Sequence, residues 1–249
     1  VSIQENEIIL NVGKSTKDIS LKNLLAFEYA INNFDFDFLF RTTTTSYVNL
    51  EKLKNFIVEN FIDHENLYCG KIMETYDLEK NKQNFISGAG ILLSKNTIDH
   101  IIKNKNKMDF RLWDDVGIGK LLGELKINPT DGKRHDIQGN IFKQAVDIDQ
   151  YHYRCRIDNH YGYPRFLEYY VIKYLDMIIK GISINKLTNN LMKYLFEISK
   201  FFYIQYPIWK LYSFLKSFLK LLLPKKIYTV LKQKLNRFNK KFNLKYFKY

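Results

Sequence analysis

Apolar positions along the first 180 residues fall into two kinds of run. Short apolar blocks predict strands at 7–12, 36–40, 67–73 and 88–94. Between and after them, apolar residues three and four apart predict helices at 21–32, 50–60, 97–103, 116–125 and 165–180. Asp18 or Ser20 suits the cap of the first helix, which turns Leu21, Leu24, Leu25, Glu28 and Tyr29 to one side. The second helix turns Leu53, Phe56 and Ile57 inward. Asn128-Pro129 and Asp131-Gly132 read as turns. Gly88 and Gly90 lead into the fourth strand, where the backbone must turn or come close to another group. Strands interleaved with helices predict an α/β fold.

The pattern changes beyond residue 180. Three amphipathic helices are expected there, broken by Pro207 and Pro224. Leu191, Tyr194, Leu195, Ile198, Phe201 and Phe202 form one apolar stripe. Leu211, Tyr212, Leu215, Phe218, Leu219 and Leu222 form a second, and Ile227, Leu231, Leu235, Phe238 and Phe242 a third. None approaches the roughly 18 uncharged apolar residues of a membrane-spanning helix.

Charge sharpens this division. The net charge is +13, and residues 181–249 hold 15 Lys/Arg against one acid, Glu197. Residues 1–180 hold 24 Lys/Arg against 25 Asp/Glu. The expectation is a near-neutral domain over 1–180 and a basic amphipathic helical region over 181–249. Lysines opposite apolar stripes, with Trp209 among them, suit a helix lying on an anionic membrane surface. Packing of part of 191–222 on the core is the plainer alternative. Nucleic-acid binding fits less well, because apolar residues at helical spacing suit burial better than exposed stacking. Residues 1–11 carry charges and lack the apolar core of a secretory signal. Cys69 and Cys155 match no zinc or redox spacing and read as free thiols of a reducing compartment. The expected location is therefore cytoplasmic, peripheral on the membrane.

The sharpest chemical feature is Trp113-Asp114-Asp115-Val116-Gly117-Ile118-Gly119, which follows Phe85-Ile86-Ser87-Gly88-Ala89-Gly90. Adjacent acids before a helix satisfy its free amides. They equally suit proton abstraction, so spacing alone leaves both readings open.

Four blocks, taken in order, resemble the inverting β-1,3-galactosyltransferase and Fringe-like glycosyltransferases of family 31. They are Glu5 to Leu10 followed by Asp18-Ile19-Ser20-Leu21-Lys22; Phe38-Leu39-Phe40-Arg41-Thr42-Thr43-Thr44-Thr45-Ser46-Tyr47-Val48-Asn49; Ser87 to Ser94; and Asp114-Asp115-Val116-Gly117-Ile118-Gly119. The resemblance covers about residues 5–125. It implies a GT-A fold, a Rossmann-like α/β sandwich that binds a nucleotide sugar at its strand ends. It also implies that Asp115 is the catalytic base, with Asp114 structural or orienting the acceptor. Gly88, Ala89 and Gly90 would leave room for substrate, and Trp113 would stand beside it. The family places one more strand before the block that opens at Glu5, and that strand is expected to be missing here.

One departure matters. The family's metal-binding acids fall on Thr43, Thr44 and Thr45, and hydroxyls are poor ligands for a hard cation. Cationic groups would then stabilise the departing diphosphate. Arg41, His152, Arg154 and Arg156 are the candidates, and Thr42 to Ser46, Thr43 and Thr45 among them, could hydrogen-bond ribose or phosphate. The expected function is a metal-independent inverting glycosyltransferase acting on a glycan or lipid-linked acceptor. A non-catalytic glycosyltransferase-like binding domain is the alternative.

Overall fold

The computed structural model describes residues 2–4, 7–10, 12–13, 15–76, 82–157, 163–183 and 185–202. The two apolar stripes expected over 211–222 and 227–242, with Pro207, Trp209 and Pro224, lie outside the described residues. The fold is mixed α/β, with strand partners both parallel and antiparallel. Contacts cluster into two units. One lies within Val1–Ile137, Ala145–Arg156 and Val171–Ile182, the other within Gln138–Gln144, Ile157–Tyr170 and Ser183–Tyr249.

The first unit opens with an antiparallel pair, β1 (Ser2–Gln4) and β2 (Glu7–Ile9), followed by α1 (Thr16–Asn33). Ser15 caps α1, not Asp18 or Ser20. Asp18 donates its N–H to Ser15 Oγ at 3.2 Å, and Ser15 donates its own N–H to the Asp18 carboxylate at 2.7 Å. This reciprocal box satisfies two free amides at once, which outweighs a cap farther in. The buried face of α1 is Ser20, Leu24, Phe27 and Ala30, and Leu21 is exposed. A stripe of leucines missed Phe27, whose ring brings more apolar area to the core.

Next come β3 (Phe38–Thr42), β4 (Ser46–Val48), α2 (Leu50–Asn60), β5 (Tyr68–Tyr76), β6 (Lys82–Ser94), α3 (Lys95–Lys103) and α4 (Asp114–Glu124). Three short strands follow, β7 (Thr130–Asp131), β8 (Arg134–Asp136) and β9 (His152–Arg154). Asp131, read as a turn residue, pairs with Gly70 in β7. Two helices complete the described chain, α5 (Leu167–Ile179) and α6 (Lys186–Phe202).

The main sheet runs β3-β6-β5-β7, antiparallel except for β7 against β5. Side-chain alternation divides its two faces. Tyr68, Ile91 and Leu93 meet Leu24 and Phe27 of α1, Ile98 and Ile101 of α3, and Ile118, Leu121 and Leu122 of α4. Cys69 and Leu92 point the other way, to Leu53 and Phe61 at α2 and to Tyr151. A second sheet runs β4-β9-β8, with β9 antiparallel to β4 and parallel to β8.

The main sheet has one irregularity, and it positions the site. Gly70 of β5 pairs with Ile91, yet Ile72 pairs with Ile86. Two steps along β5 therefore match five along β6, and Ser87–Gly90 bulges away from β5. Gly119 lets α4 settle on β6 just before this bulge, since a Cβ there would lie 2.5 Å from the Phe85 Cβ.

In the second unit, α6 is fixed through its polar side. Glu197 accepts from Asn140 Nδ2 at 2.9 Å and Tyr163 OH at 2.9 Å, and Lys143 Nζ lies 3.0 Å away. Phe196 is buried against Phe142 and Tyr163. Leu191, Tyr194 and Leu195, read from the sequence as a single stripe, face outward at 57%, 66% and 47% exposure.

Candidate functional site

A bulge leaves backbone groups without ladder partners, and buried amides and carbonyls need them. Side chains from three elements supply the partners here. Gly88 donates its N–H to Asp115 Oδ2 at 2.7 Å, and Arg41 Nη1 donates to Gly88 O at 2.7 Å. Ala89 O accepts from Thr42 Oγ1 at 2.9 Å and from Ser46 Oγ at 3.2 Å. The bulge thus gathers the start of α4, the end of β3 and the start of β4 around four residues.

The two acids at the head of α4 have different surroundings. Asp114 is buried, and its Oδ2 accepts from Arg41 Nη2 at 2.6 Å and Asn23 Nδ2 at 2.7 Å. Arg41 therefore links Asp114 to the bulge and has its charge neutralised there, so it is not a free cation for a phosphate. Asp115 is half-buried. Its Oδ1 accepts from the adjacent Val116 N–H at 3.0 Å, which satisfies one free amide of the helix's first turn. Its Oδ2 reaches off the helix to Gly88. Burial raises the Asp115 pKa, and the Asp114 charge adds to this, against hydrogen bonds from Gly88 and Val116 and the nearby Arg41. A carboxylate so placed holds a proton more readily than an exposed one, as a general base requires. Trp113, 63% exposed, precedes the pair.

The space over the bulge is filled by this machinery. A Cβ at Gly88 would lie 2.7 Å from Arg41 Nη1 and 3.0 Å from Asp115 Oδ2, and one at Gly90 would run into the His152 ring. Glycine at these positions lets Arg41, Asp115 and His152 close on the backbone.

His152 and Arg154 enter from β9, and exposed Arg156 follows. His152 is 2% exposed, and its Nε2 lies 3.2 Å from Ser46 Oγ. Burial, then the Arg134 charge, lowers the His152 pKa to about 4. The ring is neutral at physiological pH, and the positive charge expected of it falls to Arg154 and Arg156. Burial and Arg134 also lower the Arg154 pKa, while Asp136 and Asp115 oppose this.

Thr43, Thr44 and Thr45 form the turn between β3 and β4. Thr43 Oγ1 lies 3.3 Å from Thr45 Oγ1 and 3.2 Å from Ser46 Oγ, and Thr45 is buried. These are neutral hydroxyls bonded to one another, and the nearby Asp114 is engaged by Arg41. They do not fit a hard divalent cation. Among the described residues, no group of three or more His, Cys, Asp or Glu side chains is arranged for a metal ion. Thr42 and Ser46 lay inside a motif already singled out. Sequence reasoning did not pick out Asn23, Arg134 or Asp136. For these the signal was weak, an amide on a helix and a three-residue strand.

No protein family's sequence profile matches the chain. The mouse (Mus musculus) protein UDP-GalNAc:beta-1,3-N-acetylgalactosaminyltransferase 2 is 20% identical over 130 residues, covering 47% of this chain. The match spans 26% of that enzyme's length, about a quarter. What it supports is a distant likeness to a β-1,3-glycosyltransferase.

Proposed function

We propose that this protein is an inverting glycosyltransferase of the GT-A type, with Asp115 as its catalytic base. The observation that carries the reading is the half-buried Asp115 carboxylate, held on the Gly88 N–H beside exposed Trp113. The mouse likeness points to the same chemistry. The donor is a nucleotide sugar, and a uridine diphosphate sugar is the first to try because the mouse enzyme's name states one. An acceptor hydroxyl attacks the anomeric carbon and passes its proton to Asp115. The bond from that carbon to the diphosphate breaks, and the nucleoside diphosphate leaves with the electron pair, so configuration inverts. Arg154 and Arg156, with hydroxyls from Thr43 and Thr45, stabilise the departing charge. On this reading no metal is needed.

The acceptor is a glycan or lipid-linked sugar in polysaccharide biosynthesis. The basic region 181–249 holds the catalytic part, 1–180, at an anionic membrane on its cytoplasmic face. The outward stripe on α6 supports this, as does the excess of Lys and Arg over acids. The alternative, a non-catalytic binding domain, is favoured only by the hydroxyls at Thr43–Thr45.

The test is calorimetry and sugar transfer with a panel of nucleotide sugars, each with and without manganese. Binding and transfer without metal support the enzyme. Binding without transfer to any acceptor supports the binding domain. Transfer only with manganese refutes metal independence, and no binding to any donor refutes the enzyme and favours the non-catalytic domain.

A further inference from the structure

The face of the second sheet that carries His152 also carries a charge imbalance. Register places Arg134 beside His152, Asp136 beside Arg154, and Ser46 across from Arg154. Alternation sends these side chains to one face, while Tyr47, His135 and Tyr153 meet on the other. Asp136 gives both its oxygens to Arg134. Oδ1 lies 2.8 Å from Nε, and Oδ2 accepts from Nη2 at 3.0 Å. The Nε contact is close but misaligned, so among the described residues Nε and Nη1 have no hydrogen-bond partner, although the side chain is only 3% exposed. The Arg154 guanidinium, half-buried, has no hydrogen-bond or ion-pair partner among the described residues. His152 adds no positive charge.

Two guanidiniums thus face one carboxylate in a partly desolvated place. An uncompensated charge and unfilled N–H groups are costly there. An anion with several oxygens relieves both, and the planar fork of arginine matches phosphoryl oxygens. The bulge ties this face to the candidate base, since Asp115 closes on Gly88 and the His152 ring on Gly90.

We propose that Arg134 and Arg154 form a two-arginine subsite for a diphosphate, with Arg134 as its buried anchor, held by Asp136. This rests on the nucleotide-sugar reading and adds Arg134 and Asp136 to it. Arg134 joins a phosphoryl oxygen through Nη1, and Arg154 closes from the more open side.

The experiment is calorimetric titration of the full chain with inorganic pyrophosphate and with uridine diphosphate, at fixed ionic strength. Loss of a charge-assisted contact in Arg134→Met should weaken both by about tenfold or more. Asp136→Asn keeps the shape and removes the competing negative charge, so it should tighten pyrophosphate several-fold. A merely structural ion pair would weaken binding in both variants, and that result overturns the subsite. So does unchanged binding by Arg134→Met. Should Arg134→Met fail to fold by its melting curve, Asp136→Asn decides alone, with unchanged or weaker binding counting against the proposal. If the unmodified chain binds neither probe, the subsite and the donor reading fail together. If it binds both and the variants leave affinity unmoved, only the subsite fails.

Discussion

Helices α4 and α6 both looked amphipathic or apolar in sequence, yet they are used differently. In α4, Val116, Ile118, Leu121 and Leu122 are buried, and its two acids stand at the N-terminus against a bulged strand. In α6, Phe196 is buried and Glu197 is tied to Asn140, Lys143 and Tyr163, while Leu191, Tyr194 and Leu195 stand exposed. A hydrophobic period identifies a helix but does not say which side is core. For α6 a single acid with three partners sets the rotation, and Leu191, Tyr194 and Leu195 stand exposed. In α4 burial and chemistry meet at one end. In α6 they separate onto opposite faces.

Substitutions can break this contrast in order of size. Arg41→Met should have the largest effect on stability. It leaves buried Asp114 with Asn23 alone, at a cost of about 3–5 kcal/mol in chemical denaturation. Adding Asp114→Asn should restore much of that loss, and a single-variant cost below about 1 kcal/mol would mean the bulge is held by other groups. Gly90→Val comes next. Its side chain meets the His152 ring and Phe40, and overpacking of this kind costs about 1–3 kcal/mol, read as a lower melting temperature.

On α6 the joint change of Leu191, Tyr194 and Leu195 to Ser should alter stability by only about 0.5 kcal/mol. It should reduce sedimentation with phosphatidylserine vesicles. A loss of several kcal/mol would show that the stripe is covered within the protein. The smallest effect should be that of Glu197→Gln at low pH, where Glu197 is itself protonated. The Asn140 and Lys143 bonds lower the Glu197 pKa to about 2. Its stabilisation is present above the ordinary glutamate range and lost as pH falls towards 2. The Gln variant should lack that slope when melting is followed from pH 6 to pH 2.

The long elements were legible because they repeat. The helix at 50–60 and the apolar run 88–94 follow from periodicity, and α4 begins two residues before the expected 116. The strands β4, β8 and β9 have three residues each, too few for a period to stand out, so the second sheet was invisible. The acid pair and the Gly88-Ala89-Gly90 segment were singled out, but their joining was not legible. It depends on a register shift between β5 and β6, which is a property of two strands together. Arg134 and Asp136 stayed hidden for the same reason. Their shared face with His152 and Arg154 exists only once β8 lies parallel to β9.

The central claim is that Asp115 takes the acceptor's proton while Gly88 holds it in place. The direct measurement is sugar transfer by Asp115→Asn beside the unmodified protein, with donor binding followed by calorimetry in both. Loss of a general base should lower turnover by about 10²–10⁴-fold and leave donor affinity nearly unchanged. In the unmodified protein, activity should fall with acid at a pH above the usual carboxylate range, because burial raises the Asp115 pKa. Transfer by Asp115→Asn at a rate near that of the unmodified protein would contradict the account.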